Sequence, residues 1–253
     1  MKHQENITIV NPELSFRKVA LVPPSKSHYF LFAAEVDSNF SPFYFRTGNK
    51  KKKLLAYCKS QCEKIKRQEG IEDVAVFKAQ LIPPGKGKLL RERPHVPIAK
   101  FDVVVLIEIK DITTASEARS SKYIEGIKEQ LGKIASKTLF LMATNERRID
   151  SVDHDKQGVF LFNFFYADNL EQNIGIWEYT AGWFQQETRL DNSTLLLPDN
   201  QNKSPFTVIN HCRWDSMLDI LPSILFKRSF RKFVLDNFYA NNVAAIPILY
   251  KRA

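Results

Sequence analysis

A strand-like run near the C-terminal end, Pro205 to Trp214, carries the residues best suited to chemistry. Alternate side chains of an extended chain share a face, so Val208, Asn210, Cys212 and Trp214 fall on one side and His211 and Arg213 on the other. An amide, a thiol and an indole in a row form a hydrogen-bonding wall beside an aromatic one. The matching stretch earlier in the chain reads Val103, Val105, Ile107 and Ile109, which is what packing alone asks for. Burying an unpaired amide costs about 1–3 kcal/mol. Asn210 therefore needs a protein partner, or it faces a ligand or water cavity. On the other face His211 is a candidate base at neutral pH, although interior histidines are more often simply satisfied by their neighbours. Arg213 beside it is a candidate ligand contact.

The elements that must hold this strand are legible from repetition. FDVVVLIEIKD is followed by a helical SSKYIEGIKEQLGKIA and a strand KTLFLMATNERRI, and FTVINHCRWDS by a helix-like ILFKRSFRKFVLDNFYAN and a strand NVAAIPILYKRA. Upstream of each lies a strand, an amphipathic helix and another strand: YFLFAAEVD, KKKKLLAYCKSQCEKIKRQ and DVAVFKAQLI, then GVFLFNFFYAD, NIGIWEYTAGWFQQETRL and STLLLP. A β-α-β-β-α-β order is the ferredoxin-like unit. Two in tandem predict an α+β fold whose sheets close face to face into one intramolecular barrel, with the helices outside. The boundaries read as an N-terminal extension over 1–27, a first repeat over 28–150, the polar join DSVDHDKQG, and a second repeat over 158–253. The first helix of the second repeat bears Ile176, Trp177, Tyr179, Thr180, Trp183 and Phe184 at helical spacing. Such a stripe is ordinarily core, and it also sets Trp177 and Trp183, with Cys212, as candidate contacts for a ligand.

Other features exclude more than they suggest. The chain of 253 residues is 44% hydrophobic and has a formal net charge of +9, enough apolar content for a packed core under a basic surface. The basic run from Asn49 to Lys53, continued by Lys59, Lys64, Lys66 and Arg67, reads as a solvated helix face, and neither candidate third strand carries the glycine-aromatic pattern of ribonucleoprotein sheets. Nucleic acid is not an expected partner. His154 between Asp153 and Asp155 reads as part of a flexible linker, not as a metal ligand. Cys58, Cys62 and Cys212 form no disulfide framework or metal pair and suit a reducing compartment. The segment PPGKGKLLRERPHVPIAK, long and rich in proline, glycine and base, reads as a covering loop. Glu35 and Glu108 lie on first-repeat strands and could form a carboxylate pair, the default being a strand-edge placement with each paired to a Lys or Arg. A polar N-terminus and the lack of a bilayer-length apolar run predict a cytoplasmic protein with no membrane partner.

At VINHCRWDS, followed by a helix with RSFRKFV, the chain resembles the antibiotic-biosynthesis-monooxygenase group of the dimeric α+β barrel superfamily. That group has an asparagine, a tryptophan four residues on and a serine leading into the second helix. The likeness runs from Val159 to Tyr250; in the first repeat Val105 and Ile109 stand where the Asn and Trp would be. It implies a tandem-repeat form in which two halves of one chain replace two subunits, as a monomer or homodimer. It further implies that Asn210 hydrogen-bonds a phenolate or peroxy oxygen and that Trp214 walls an aromatic substrate oxidised by dioxygen without metal or flavin. Haem, which tandem relatives hold through a C-terminal histidine, is not expected, since none follows His211. Two functional classes stay open: a cofactor-independent oxygenase or related enzyme acting on an aromatic or polyketide-like compound, or a non-catalytic barrel binding a small apolar molecule or a partner.

Overall fold

The structure is a computed structural model and describes residues 7–37, 41–83, 87–201 and 204–253. Residues 1–6 of the extension and Pro84, Gly85 and Lys86 of the long loop lie outside the described residues. The first half comprises β1 (His28–Glu35), α1 (Asn49–Ile65), β2 (Ile71–Leu81), α2 (Lys88–Glu92), β3 (Val103–Ile109), α3 (Ile112–Ala118), α4 (Lys122–Ile134) and β4 (Lys137–Asp150). The second comprises β5 (Val159–Ala167), α5 (Leu170–Thr188), β6 (Ser193–Pro198), β7 (Val208–Trp214), α6 (Met217–Phe226), a π-helical turn (Phe230–Leu235), α7 (Asp236–Ala240) and β8 (Val243–Arg252).

The eight strands make one closed antiparallel barrel in the order β1-β3-β2-β8-β5-β7-β6-β4. Within it the halves run β4-β1-β3-β2 and β8-β5-β7-β6, the same order twice. They face one another across the interior, as expected from sequence, and also join edge to edge, β2 on β8 with Lys78 opposite Lys251 and β4 on β6 with Thr144 opposite Leu197. The reason for the edge joins is that each open sheet ends in strands with unpaired backbone groups, and only edge pairing satisfies them.

Alternation then sorts the side chains. On β5, Phe160, Phe162 and Phe164 point into the barrel, while Leu161, Asn163 and Phe165 point out. The interior is filled by rings: Phe77 meets Phe160 at 5.1 Å and Phe162 at 5.2 Å between centroids, Phe101 meets Phe164 at 5.2 Å, and Tyr250 donates to the Phe101 carbonyl at 2.6 Å.

Outside, α1 and α4 seal the first half, pressing Leu54, Cys58, Ile124, Ile127 and Leu131 onto Val103, Val105, Ile107 and Ile109. Over the second half the single helix expected from Ile224 to Asn241 is interrupted, because Lys227 turns extended (φ −77, ψ 123) and ends α6 before the π-helical turn begins. The N-terminal extension crosses this layer. Asn241 and Asn237 bond both backbone groups of Thr8 and Val10 at 2.7–3.1 Å, standing in for a neighbouring strand. At Gly182 on α5 a Cβ would sit 2.0 Å from the Arg17 carbonyl, so only glycine lets the extension pass. Covered on two sides, α5 buries Ile174, Ile176, Trp177, Ala181 and Trp183.

Candidate functional site

Space in the second half lies between the sheet and its helices. A cavity of about 450 Å³ runs under the π-helical turn and α7, floored by Asn163, Val243, Ala245 and Pro247 and edged by Pro83, Lys88, Leu89 and Arg91. It exists because β2 parts from β8 at Leu81, leaving the Val243–Pro247 stretch of β8 for the inserted α2 to flank. The basic loop of the first half thus forms a wall of the second half's cavity. Arg93 fixes it by a two-pronged pair with Asp168 at 2.8 and 3.2 Å, and Tyr239 donates to Glu92 at 3.1 Å.

Beyond Asn163, Phe184 and Phe238, which line both spaces, a small chamber of about 30 Å³ opens beneath α5. Its walls include Trp177, Thr180, Ser193, Asn210, Cys212 and Trp214. That is room for roughly two water-sized groups. The larger space falls in the range of small-molecule sites, about 300–1,000 Å³.

The polar groups at the junction are incompletely served. Asn163 and Asn210 stand directly opposite on β5 and β7. Asn163 Oδ1 is buried and has no hydrogen-bond partner among the described residues. Asn210 Oδ1 accepts from Ser193 Oγ at 2.6 Å, but its amide N–H reaches only the Cys212 sulfur at 3.8 Å among the described residues. An acceptor and a donor side by side at the end of an apolar cavity suit a ligand oxygen function. Trp214 is fixed by its indole N–H bond to Thr188 Oγ1 at 3.0 Å, and burial raises the Cys212 thiol well above its usual range, so it stays neutral. Trp183 faces elsewhere, packing edge-on to Phe184 and donating to Ser229 Oγ at 3.0 Å.

His211 and Arg213 lie on the opposite face of β7, as alternation requires. Arg213 is held at the rim by the Gln157 carbonyl at 2.6 Å and Asp215 at 2.8 Å. His211 is buried among Phe77, Phe160 and Phe162. It ends a chain of bonds that starts at Asp73, passes through His154 Nδ1 and Nε2, reaches His211 Nε2 at 2.7 Å, and closes from His211 Nδ1 to the Leu161 carbonyl at 2.9 Å. The proton count follows from chemistry. A carbonyl only accepts, so His211 Nδ1 bears a proton; the Asp73 carboxylate takes one from His154 Nδ1; the facing Nε2 atoms share a third. Burial, and then the charge of His154, push His211 well below its ordinary 6.5. Burial alone would raise the Asp73 carboxyl, but the His154 bond and charge outweigh it and hold it low.

His154 is therefore no linker residue: it is 7% exposed and ties the join to both halves. Its partners lie 81 and 57 positions away, beyond any local signal. Asn163 was open to detection, as a lone amide within the aromatic run FLFNFFYA. Glu35 and Glu108 are not a carboxylate pair, and neither forms an ion pair with a described Lys or Arg: they sit at opposite ends of the β1–β3 ladder, Glu108 accepting from Tyr29 Oη at 2.8 Å and Glu35 from the Lys100 amide at 3.3 Å. Among the described residues no group of three or more His, Cys, Asp or Glu is placed to hold a metal ion, and no helix is long and apolar enough to cross a membrane.

No protein-family model matches the chain, and no curated protein matches it. Solved structures do. An anthrone oxidase-like protein is similar over 92% of this chain and 94% of its own, at 10% identity and a TM-score of 0.64. A candidate monooxygenase of Fusobacterium nucleatum is similar over 90% of this chain and 92% of its own, at 9% identity and a TM-score of 0.53. At such identities the likeness establishes the eight-stranded α+β barrel fold, and the chemistry must be argued from the site.

Proposed function

We propose that this protein is a small-molecule enzyme of the cofactor-independent oxygenase type, working on an aromatic or polyketide-like compound in the cavity of its second half. We read its two halves as a duplicated ferredoxin-like unit, so that one chain supplies what a dimer does elsewhere, and place it as a monomer in a reducing compartment such as the cytoplasm, where its three free, buried thiols persist. The observation that carries the reading is the adjoining pair of cavities ending at Asn163, Asn210 and Trp214.

In this reading the ring lies in the larger space, and its oxygen substituent enters the small chamber, which is too small for a ring. The Asn210 amide donates to that oxygen as negative charge develops, Trp214 and Trp177 wall the chamber around it, Phe184 and Phe238 flank the ring, and the helix layer excludes water. An electron-rich substrate anion is itself the reductant of dioxygen, so the protein's tasks are orientation and charge stabilisation. His211, with both ring nitrogens engaged on the far face of β7, is assigned to holding the strand and not to proton transfer.

One observation favours the rival binding role: the barrel interior is filled, with a space of only about 20 Å³ at the His154–His211 end. An oxygen electrode decides between them. Purified protein given phenolic compounds should consume oxygen, and Asn210→Ala should slow this by about tenfold or more, the equivalent of one lost charge-assisted hydrogen bond. Tight binding without oxygen uptake would establish a binding protein; neither binding nor uptake would sink both.

A further inference from the structure

We propose that the loop bearing Phe43 and Phe45, with the lysine-rich start of α1, docks on an anionic lipid surface beside the mouth of the second-half cavity. This stands whether or not the cavity is catalytic. Phe43 and Phe45 are 54% and 79% exposed and stack on one another, ring centroids 5.5 Å apart. They are not frayed. Tyr44 between them is 2% exposed and donates to the Lys100 carbonyl at 3.2 Å, and its own N–H bonds the Gln80 carbonyl at 3.0 Å. Ile82 N–H returns to the Pro42 carbonyl at 2.9 Å. The backbone thus holds two phenylalanines out in solvent, where apolar surface gains nothing unless something covers it.

The surroundings name the cover. Arg46, Lys50, Lys52, Lys53 and Lys59 are exposed, and none of them forms an ion pair with a described residue. The first turn of α1 has no acidic residue of its own, so Lys50, Lys52 and Lys53 have no acidic neighbour within that turn. Lys78, opposite Lys251 and near Lys59, extends the charge along the β2–β8 seam. The nearby Asp37 is taken up by the Gly48 N–H at 2.7 Å, and Asp102 by Lys51. Protruding rings followed in the chain by exposed lysines without a described ion pair match the acyl boundary and headgroups of an anionic bilayer. A protein groove would need a concave or flat apolar face, and single-stranded nucleic acid would need ring faces free for stacking, whereas these two cover one another. Ile82, bonded to this loop, precedes Pro83, which lines the 450 Å³ cavity. Docking here brings an apolar ligand's reservoir to the cavity mouth.

Vesicle co-sedimentation of the full chain tests this, with phosphatidylcholine alone against phosphatidylcholine containing phosphatidylserine. The wild type should pellet with the anionic vesicles and lose binding as salt rises. Phe43→Ser with Phe45→Ser, and separately Lys50→Glu with Lys52→Glu and Lys53→Glu, should each weaken binding by roughly tenfold or more, since each lysine near an anionic surface and each inserted ring contributes on that scale. Unchanged circular dichroism confirms folding; all five positions are exposed, so loss of fold is not expected. Three results would overturn the proposal: no vesicle binding by wild type, binding indifferent to both sets of substitutions, or a single-stranded oligonucleotide that displaces the vesicles from this patch. A dimer that forms in sedimentation and vanishes with the phenylalanine substitutions would also overturn it, assigning the patch to a second copy.

Discussion

The two outer sheet faces of the barrel were given the same strand order and opposite fates. Under α1 and α4, Val103, Val105, Ile107 and Ile109 are fully buried in aliphatic contact. Under α5, Val208, Asn210, Cys212 and Trp214 are also buried, but the last three border a cavity, and the amide groups there are only partly bonded. The first half buries charge too, yet engages it fully: the Asp102 carboxylate accepts from Lys51 Nζ at 2.8 Å and from the amides of Val36 and Asp37 at 2.6 and 2.9 Å. The difference teaches where to look for function. A buried polar group left incomplete beside a cavity, as Asn163 Oδ1 is, is one that a ligand or water would complete.

The comparison can be broken most severely at the first half. Asp102→Ala strands the Lys51 ammonium, 1% exposed, and should cost about 3–5 kcal/mol in urea unfolding. A cost below about 1 kcal/mol would show that the pair is not the anchor described. Next in size is the transplant Val105→Asn, which puts the amide of Asn210 into the sealed face. With no cavity and no partner it should destabilise by about 1–3 kcal/mol or more, and a neutral result would mean that the two faces are not different after all.

The relay joining the halves gives a smaller, pH-dependent effect. His211 is depressed below 6.5, so the unfolded chain takes up a proton there before the folded one does, and stability is lost as pH falls below 6.5. Asp73, lowered from 3.8, adds a second loss only below 3.8. Unfolding free energy in urea should decline as pH falls below 6.5 by at most about 1.4 kcal/mol per pH unit for one proton, and His211→Phe should flatten the decline between pH 6.5 and 5. An unchanged slope in that variant would assign the acid sensitivity elsewhere.

The smallest effect is the most discriminating. Asn163→Leu removes a buried acceptor without a described partner and should leave unfolding unchanged or raise the midpoint slightly, while weakening binding of a hydroxylated aromatic by about tenfold. A drop in stability would instead show that Asn163 has a structural partner.

How much of this was legible in the chain depends on the range of the forces. Alternation along β7 is set by the geometry of one extended strand, so the common face of Asn210, Cys212 and Trp214 was fixed locally, as was the aromatic stripe of α5. The repeated strand and helix order, and with it the barrel, follow from the apolar periodicity of short segments. Tertiary structure alone decided that the halves join by their edges, that the extension crosses the second half's helix layer, that the α2 loop walls its larger cavity, that Trp183 turns away, and that His154 reaches Asp73 and His211. Those outcomes depend on pairings between residues tens to hundreds of positions apart, whose free energy is gained only once the chain has closed on itself.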